Sequence, residues 1–592
     1  MPTTSRPLAV AVLVLAAACS RSEAPAQSAA PAAAPSGGAA PSSSAPTISS
    51  GALPAPAVPL PSMPKLDPAV ILQHIKVLSS DKFQGRAPGG IGEDLTVGYL
   101  ETQFKDLGLK PGNPDGTYVQ KVPLVGITGA EGKPLVFTKG AQKLALTWKD
   151  DVVAWSKHVA DGAEIDKSDV VFAGYGIEAP EFGWNDFKNI DVKGKTIVVL
   201  VNDPPIPDPA DASTLDAKMF GGRAMTYYGR WTYKFEEGAR KGAAAVLIVH
   251  ETVPAAYPFS VVQGNLGEKF DTIAPDKNMS RSNIEGWITV DAARKLFTMA
   301  GQNFDELKKK ALSKDFTAVP LGVQASMGIK NTLRNVNSRN VVAKLEGSDP
   351  SLKDEYVVYT AHWDHLGVGE AVNGDRIYNG ARDNAAGVAL MLEVARQFTK
   401  VQPPPKRSIL FTMVTAEEQG LLGSQYYSVT PLYPLAKTVA DINIDSPNVF
   451  APSKDVTVIG MGASDLDDYL QQAAQEQGRT LRPDPESEKG YYYRSDHFNF
   501  AKQGVPALYI ESGHDAAGDK PADYLKKKLD DYEAHDYHAP SDVVKPDWDL
   551  SAAALDGQLV FAVGYRVANA GKWPEWKPGN EFRAKREEML RK

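Results

Sequence analysis

Histidine and carboxylate residues follow several predicted strands in the second half of the chain. His362 and Asp364 end an apolar, β-branched run, and on an extended segment they share one face because side chains alternate. Glu417 and Glu418 follow the next apolar strand, and Asp445 ends the strand after that. Because open α/β sheets bind ligands at the carboxyl ends of their strands, we expect these side chains to converge.

Two further residues extend this set. Asp383 stands just before a predicted helix, and His538 lies far downstream in the string YHAPSD. Each alone has an ordinary explanation, such as a helix cap or a surface histidine. Together they indicate a metal site, because carboxylates that converge repel one another and need compensating charge. With imidazole and carboxylate ligands and no thiolate, zinc is the leading candidate, and cobalt or manganese fits similar ligands.

The elements that must position these residues are those of an α/β domain. From residue 340 onward strands and helices alternate, which predicts a mostly parallel central sheet. The predicted strands span 341–345, 356–362, 409–414, 439–444, 456–459 and 507–510, and the predicted helices span 384–399, 420–428, 466–477 and 551–568. Residues 67–109 predict two further helices around the glycine-rich loop 85–90, which lacks the Walker lysine and the preceding strand of a nucleotide site.

The sequence between the two parts of this domain has a different pattern and composition. Between residues 131 and 332 the sequence has short β-like runs, and Gly, Pro and Asp are frequent from 202 to 222. We therefore predict a strand-rich domain at 131–332, inserted between residues 66–130 and 333–592 of the α/β domain.

The N-terminus predicts export. Arg6 precedes an apolar run from Leu8 to Ala18, which is short for a bilayer but right for the core of a signal peptide over residues 1–19. Small residues before Cys19 resemble a bacterial lipobox, and the alternative is an ordinary signal peptide cleaved near Ala18. Residues 20–65, rich in Ala, Pro and Ser, predict a disordered tether. The expected location is the periplasm or cell surface, with the lipid as the only membrane contact.

Composition excludes several classes of protein. The 592 residues are 43% hydrophobic and 23% charged, which excludes a wholly disordered or fibrous chain. The net charge of −8 argues against nucleic-acid binding, which usually needs a strong basic patch. No Gly-x-Ser-x-Gly elbow is present, which disfavours a serine hydrolase. Cys19 is the only cysteine, so no intrachain disulfide can form.

Six strings, in chain order, resemble the motifs of the dizinc aminopeptidase family: TAHWDHLG, NGARDNAAG, TAEEQGLLGS, DINIDS, YYYRSDHFNFAKQGVPAL and YHAPSD. This family also includes bacterial leucyl aminopeptidases, glutamate carboxypeptidase II and the transferrin receptor. The resemblance covers roughly residues 67–130 and 338–570, and the insert resembles the protease-associated domain of many members. It implies a phosphorylase/hydrolase-like fold with a mixed, mostly parallel sheet flanked by helices.

The resemblance also implies a set of metal ligands. His362 and Asp445 would bind one zinc ion, Glu418 and His538 would bind the other, and Asp383 would bridge both. Each of the two ions then has three protein ligands and a shared hydroxide, which is the open arrangement that catalysis requires.

Further roles follow from the same resemblance. Glu417 would be the general base, and Asp364 would orient His362 through its other ring nitrogen. Tyr493 and Ser495 occupy positions that the family places near the reacting carbonyl. The remaining histidines near the motifs are interpreted as supporting or structural (His365 and His497) or as a competitor to His538 (His535).

The expected activity is that of a dizinc aminopeptidase, which hydrolyses N-terminal residues from peptides. One alternative is a carboxypeptidase of the glutamate carboxypeptidase type, whose basic pocket would draw on Arg382, Arg494 or Lys502. A non-catalytic, receptor-like protein is disfavoured because every ligand position and Glu417 are retained. A glutaminyl-cyclase-like transferase is the last alternative. The preferred substrate residue and the oligomeric state are not evident from the sequence.

Overall fold

The computed structural model describes residue 53 and residues 55–263 and 267–591. The predicted signal peptide, Cys19 and most of the predicted tether lie outside the described residues. The end of that tether differs from the prediction, because Leu60 and Met63 are buried in the core. Within the described ranges, no helix is both long and apolar enough to cross a membrane.

Two helices and a short strand open the body: α1 (Pro68–Leu78), α2 (Ile91–Asp106) and β1 (Lys110–Pro111). The carboxylate of Asp67 accepts a hydrogen bond from the Ala69 N–H at 2.9 Å and caps α1, and Pro68 occupies its first position. The buried face of α1 carries Ile71, Ile75 and Leu78, at the helical spacing that the sequence predicts.

The insert follows. Its strands are β2 (Val119–Lys139), β3 (Gln142–Ala145), β4 (Val152–Trp155), β5 (Gly162–Phe172), β6 (Glu178–Ala179), β7 (Trp184–Asn185), β8 (Thr196–Leu200), β9 (Ala245–His250), β10 (Lys269–Thr272), β11 (Ile284–Thr289) and β12 (Val319–Leu345). Its helices are α3 (Trp231–Arg240), α4 (Thr252–Ala255), α5 (Phe259–Gln263), α6 (Val290–Ala300) and α7 (Phe304–Lys310).

Two long strands join the insert to the body. β2 and β12 pair antiparallel from Val119 opposite Val341 to Thr138 opposite Gln324. β12 also pairs with β5 of the insert over Val319–Lys330 and with a strand of the body over Val341–Leu345. The insert and the body therefore share one continuous sheet.

The body continues with strands β13 (Tyr356–His362), β14 (Gly367–Val372), β15 (Asp375–Tyr378), β16 (Ser408–Val414), β17 (Thr438–Asn443), β18 (Asp455–Ile459), β19 (Thr480–Pro483) and β20 (Ala507–Glu511). Its helices are α8 (Gly387–Phe398), α9 (Leu422–Val429), α10 (Leu466–Glu476), α11 (His497–Lys502), α12 (Tyr524–His535), α13 (Leu550–Asn569) and α14 (Arg583–Arg591).

The central sheet confirms the predicted α/β class. β16, β13, β17 and β20 are successive parallel neighbours, while β12 and β18 add antiparallel strands on either side. Every residue of β13, β16 and β17 is buried, and α8 and α13 pack against β13. The carboxyl ends of these three strands consequently lie side by side at one edge.

Candidate metal centre

The residues of one half of the site lie at the ends of three neighbouring strands. His362 is the last residue of β13, Glu417 follows β16, and Asp445 follows β17. Because β13 lies between the other two strands and runs parallel to both, these side chains meet. The Nε2 atom of His362 lies 3.3 Å from Asp445 Oδ1 and 3.9 Å from Glu417 Oε2.

The loop before α8 brings Asp383 between two imidazoles. One carboxylate oxygen, Oδ1, lies 3.3 Å from His362 Nε2, and the other, Oδ2, lies 3.3 Å from His538 Nε2. The Asp383–Asn384 peptide bond in this loop is cis. Because its two oxygens lie beside different histidines, Asp383 faces both halves of the site, which is the arrangement expected of a bridging ligand.

Glu418 and His538 form the second half. The Nε2 atom of His538 lies 2.9 Å from Glu418 Oε2, and its ring stacks on Tyr537 with a centroid separation of 3.9 Å. His365 lies on the other side of Glu418, with its Nδ1 atom 2.6 Å from Oε1. The competitor His535 lies instead at the exposed end of α12, where it contacts Asp531 at 3.1 Å.

Hydrogen bonds from neighbouring loops hold Asp383 in place. The Asp542 carboxylate accepts the backbone N–H groups of Arg382 and Asp383, at 3.0 and 3.1 Å. The side-chain oxygen of Asn384 accepts the N–H of Ser446 at 3.1 Å, which ties this loop to the residue after Asp445. Asp542 closes the YHAPSD string, so the segment that carries His538 also braces Asp383.

Arg86, a buried residue of the glycine-rich loop 85–90, holds the same region together by hydrogen bonds. The guanidinium group of Arg86 donates to the carbonyl oxygens of Leu78, Trp363, Asn379 and Gly380, at 2.6–2.9 Å. Arg86 is 1% exposed, and burial lowers its pKa to about 10. It joins the end of α1 to the chain segments just after His362 and just before Asp383.

Asp364 connects two of the predicted site residues. The Nδ1 atom of His362 lies 3.2 Å from the backbone carbonyl oxygen of Asp364 and 3.8 Å from its carboxylate. That carboxylate accepts the backbone N–H of Glu417 at 3.1 Å. Asp364 thus contacts the ring that it was expected to orient, although the closer contact uses its backbone.

Ser495 and Tyr493 have different surroundings. The Ser495 hydroxyl donates to Asp445 Oδ2 at 2.6 Å and accepts from Asn443 at 2.7 Å. The Tyr493 hydroxyl lies 2.8 Å from a carboxylate oxygen of Glu581, at the contact between the insert and the body. The structure therefore brings Ser495 into the cluster and directs the Tyr493 hydroxyl to another partner.

The carboxylates of the cluster need positive charge to compensate their own. Among the described residues, no lysine or arginine pairs with its five carboxylates: Asp364, Asp383, Glu417, Glu418 and Asp445. Burial alone would lower the pKa of His362, but Glu417 and Asp445 hold it well above its ordinary value. The same opposition, with Glu418 as the largest acidic influence, raises the pKa of His538 to about 10.

The spacing of these atoms fits zinc. Tetrahedral zinc with ligand atoms at about 2.0–2.1 Å has ligands about 3.3 Å apart. Three contacts between assigned ligands, those of His362 with Asp383 and Asp445 and that of His538 with Asp383, measure 3.3 Å, and the fourth, of His538 with Glu418, is shorter at 2.9 Å. The candidate ligand atoms also fall into two groups, each within 4.8 Å, formed by His362, Glu417 and Asp445 and by His365, Asp383 and Glu418.

The second half of the chain matches a known family. Residues 340–562 match the model of Peptidase family M28. This segment belongs to that family. The M28 segment contains all of the candidate ligands, Glu417 and Asp364, whereas Arg86 lies outside it.

Curated relatives match only parts of the chain. A probable zinc metalloprotease of Pyrenophora teres f. teres is 40% identical over 111 residues, which is 19% of this chain and 23% of that protein. Aminopeptidase NAALADL1 of Rattus norvegicus is 33% identical over 132 residues, which is 21% of this chain and 16% of that protein. The chain thus spans less than a quarter of the length of these two relatives.

Among solved structures, an aminopeptidase from Aneurinibacillus sp. strain AM-1 aligns with 86% of this chain and 96% of its own. Its TM-score is 0.44 and its sequence identity is 18%.

Proposed function

We propose that the protein is a co-catalytic dizinc exopeptidase that removes N-terminal residues from peptides. The observation that carries this proposal is the placement of Asp383, whose two oxygens each lie 3.3 Å from a different histidine. Asp445 lies beside one histidine and Glu418 beside the other. Two zinc ions held there would polarise a peptide carbonyl and make water acidic enough to attack it at neutral pH.

Glu417 is the proposed general base. Its carboxylate lies beside His362 at 3.9 Å, and its backbone N–H is held by Asp364, so the side chain is positioned at the edge of the cluster. Burial and the neighbouring acids raise its pKa well above the ordinary value. A carboxylate at the edge of a metal centre can take a proton from water and pass it to the leaving amine.

The charges around the site favour a substrate with a free amino group. The carboxylates lack lysine and arginine partners among the described residues, so they attract a positively charged N-terminus. A carboxypeptidase would instead need a basic pocket, and of its three candidate residues Lys502 is paired with an acid. Lys502 pairs with Glu236 at 2.6 Å, Arg382 stacks on Tyr532 at 4.4 Å, and Arg494 donates to a backbone carbonyl at 2.8 Å.

The insert is proposed to border the substrate cleft, as a protease-associated domain would. The Met225 N–H donates to the Ser487 carbonyl at 3.1 Å, eight residues before Ser495. Glu236 of the insert also holds Lys502 of α11. These contacts place the insert beside the chain segment that carries Ser495.

Export and lipid attachment through Cys19 are part of the same proposal and rest on the sequence alone. Radiolabelled palmitate in producing cells tests them directly. We expect label in the wild-type protein and none in Cys19→Ser, and labelling of neither protein would contradict the lipid anchor.

The substrate class is tested with paired compounds. Hydrolysis of a panel of amino-acid p-nitroanilides is compared with hydrolysis of their N-acetylated forms and of an N-acylated acidic dipeptide. We expect turnover of the free-amine compounds alone. Turnover of the acidic dipeptide without hydrolysis of any p-nitroanilide would replace the aminopeptidase proposal with the carboxypeptidase alternative.

A further inference from the structure

Arg230 is a cation of the insert that lacks an acidic partner. It directly precedes α3, it is half-buried, and its Nε atom is buried. None of its guanidinium nitrogens has a hydrogen-bond or ion-pair partner among the described residues. By contrast, the buried Arg407 and Arg479 each pair with a carboxylate at 2.7 Å. Because a desolvated charge without a partner is costly, the surroundings of Arg230 favour an anion.

A second unpaired cation, Arg494 of the body, borders the same short chain segment. Its guanidinium group donates to the Lys489 carbonyl oxygen at 2.8 Å and covers the ring of Tyr491 at 5.2 Å. Arg230 reaches the next residue, because a Cβ atom on Gly490 would lie 3.6 Å from Arg230 Cδ. Burial and then the charge of Arg494 lower the pKa of Arg230 to about 10, so the two cations interact.

The acids of this segment bind other cations. Glu486 pairs with Lys489 at 2.8 Å, and Glu488 pairs with Arg223 of the insert at 2.7 Å. Within the part of the chain that the structure describes, no carboxylate pairs with either Arg230 or Arg494. Two neighbouring like charges repel each other, and an anion between them would relieve that repulsion.

This pair of arginines lies beside the metal centre. Arg494 directly precedes Ser495, whose hydroxyl donates to Asp445 Oδ2 at 2.6 Å. Tyr257 of the insert lies near both cations, since burial raises its pKa while the charges of Arg230 and Arg494 oppose the rise. A peptide held at the metal centre would therefore have its neighbouring groups close to two guanidinium groups.

We propose that Arg230 and Arg494 together bind a carboxylate of the peptide substrate. Guanidinium groups match the shape and charge of carboxylates and hold them by paired hydrogen bonds. This inference rests on the proposed exopeptidase function and adds a preference to it. The acids of the metal centre receive the free amino group, and the two arginines select peptides with a negative charge nearby. That charge comes from an acidic first or second residue or from the C-terminus of a dipeptide.

Matched substrates test the preference and identify its source. The kcat/KM of the zinc-loaded protein is measured for glutamyl against glutaminyl p-nitroanilide, for Leu-Glu-amide against Leu-Gln-amide, and for Leu-Gly against Leu-Gly-amide. Each compound is also assayed in its N-acetylated form. We expect the acidic member of at least one pair to be favoured at least about 10-fold, since hydrogen bonds to charged groups contribute that much or more. A smaller preference in every pair would overturn the inference.

Variants then connect the preference to the two side chains. The ratio of acidic to neutral kcat/KM should fall to about one in Arg230→Gln and in Arg494→Gln, because each loses a charged donor. Arg230→Lys and Arg494→Lys keep the charge and should retain part of the ratio. The ratio compares two substrates of one protein, so a general loss of activity does not affect it.

The matched control is Arg294→Gln, which removes an exposed arginine of the insert that pairs with Asp305 at 3.1 Å. It should keep the wild-type ratio. A wild-type ratio in both Arg230→Gln and Arg494→Gln would contradict the site. If Arg230→Gln does not fold, Arg494→Gln decides the question, because the Arg494 side chain is exposed.

The two proposals fail differently. Hydrolysis of free-amine substrates without a preference for acidic members contradicts the arginine site alone. A preference confined to N-acetylated substrates contradicts the aminopeptidase function and leaves the arginine site in place. If no peptide is hydrolysed, isothermal titration calorimetry with the same pairs decides the site, and equal affinities within every pair would overturn it.

Discussion

Glu417 and Glu418 are adjacent in the sequence but face different partners. Glu418 lies between His365 and His538, at 2.6 and 2.9 Å, whereas the nearest histidine nitrogen to Glu417 lies 3.9 Å away on His362. The chain turns just before them, where Ala416 has a φ of +52°. The Glu418 carboxylate thus contacts two histidines, whereas the Glu417 carboxylate is available to accept a proton.

Replacing Glu417 with glutamine should separate catalysis from metal binding. Glutamine has the same shape but cannot accept the proton, so we expect kcat to fall at least about 100-fold. Zinc content should remain at the wild-type value, as measured by inductively coupled plasma mass spectrometry.

The matched control is Glu418→Gln, which should lose zinc as well as activity. Equal zinc loss in the two variants would show that Glu417 is a ligand, and undiminished kcat in Glu417→Gln would remove it from the mechanism.

At the scale of elements, Arg86 ties together segments that are distant in sequence. It lies between α1 and α2 and donates to four carbonyl oxygens, two of them just before Asp383. These carbonyl groups are buried, and each would lose a charged partner if the guanidinium were absent. The α1–α2 segment, which precedes the M28 segment, is therefore part of the support of the site.

The variant Arg86→Met should be strongly destabilised. Buried polar groups left without partners cost about 1–3 kcal/mol each, so we expect the free energy of unfolding to fall by at least about 3 kcal/mol. Urea unfolding measures this, with the exposed neighbour changed in Lys82→Met as the control. A change below about 1 kcal/mol would mean that water replaces the guanidinium.

Strand β10 of the insert carries a buried carboxylate with a pH-dependent contribution. Burial raises the pKa of Asp271, but Lys157 and Arg281, at 3.3 and 3.5 Å, outweigh it and bring the pKa below its ordinary value. The folded state thus prefers the ionised form. The stability from this group is present above the unfolded pKa of about 3.9 and is lost as the pH falls through the lower folded pKa.

We therefore expect Asp271→Asn to lower the free energy of unfolding by about 2 kcal/mol at neutral pH, since removing one partner of a buried ion pair costs about 3–5 kcal/mol and the two cations here are partly exposed. The difference from wild type should shrink as the pH falls below about 4. Urea unfolding of the metal-free protein at both pH values measures it, with the exposed Asp150→Asn as the control. A difference that grows in acid would contradict the assigned sign.

At the scale of the whole molecule, the sequence predicts the central α/β sheet well and the connection to the insert poorly. Buried strands such as 356–362 and 409–414 are continuous apolar runs, which are visible without any partner. By contrast, β12 was predicted only over 341–345 but begins at Val319. Its middle contains Asn331, Asn335 and Asn337, which disfavour strands, and only the long ladder with β2 explains their conformation.

The candidate site also contains residues that the sequence predicts and residues that it does not. The acids and histidines that follow strands are visible from the alternation of elements, because strand order alone brings His362, Glu417 and Asp445 together. The contact of His365 with Glu418 and the role of Arg86 depend on how loops close, and neither has a periodic pattern in the sequence.

The central claim is that side chains from five separate chain segments hold two zinc ions. Zinc analysis of the purified protein by inductively coupled plasma mass spectrometry, before and after dialysis against a chelator, tests it most directly. We predict two ions per chain, loss of both ions and of peptidase activity with chelator, and recovery of both on adding zinc. Protein that holds fewer than two ions in excess zinc, or that stays active without metal, would contradict the account.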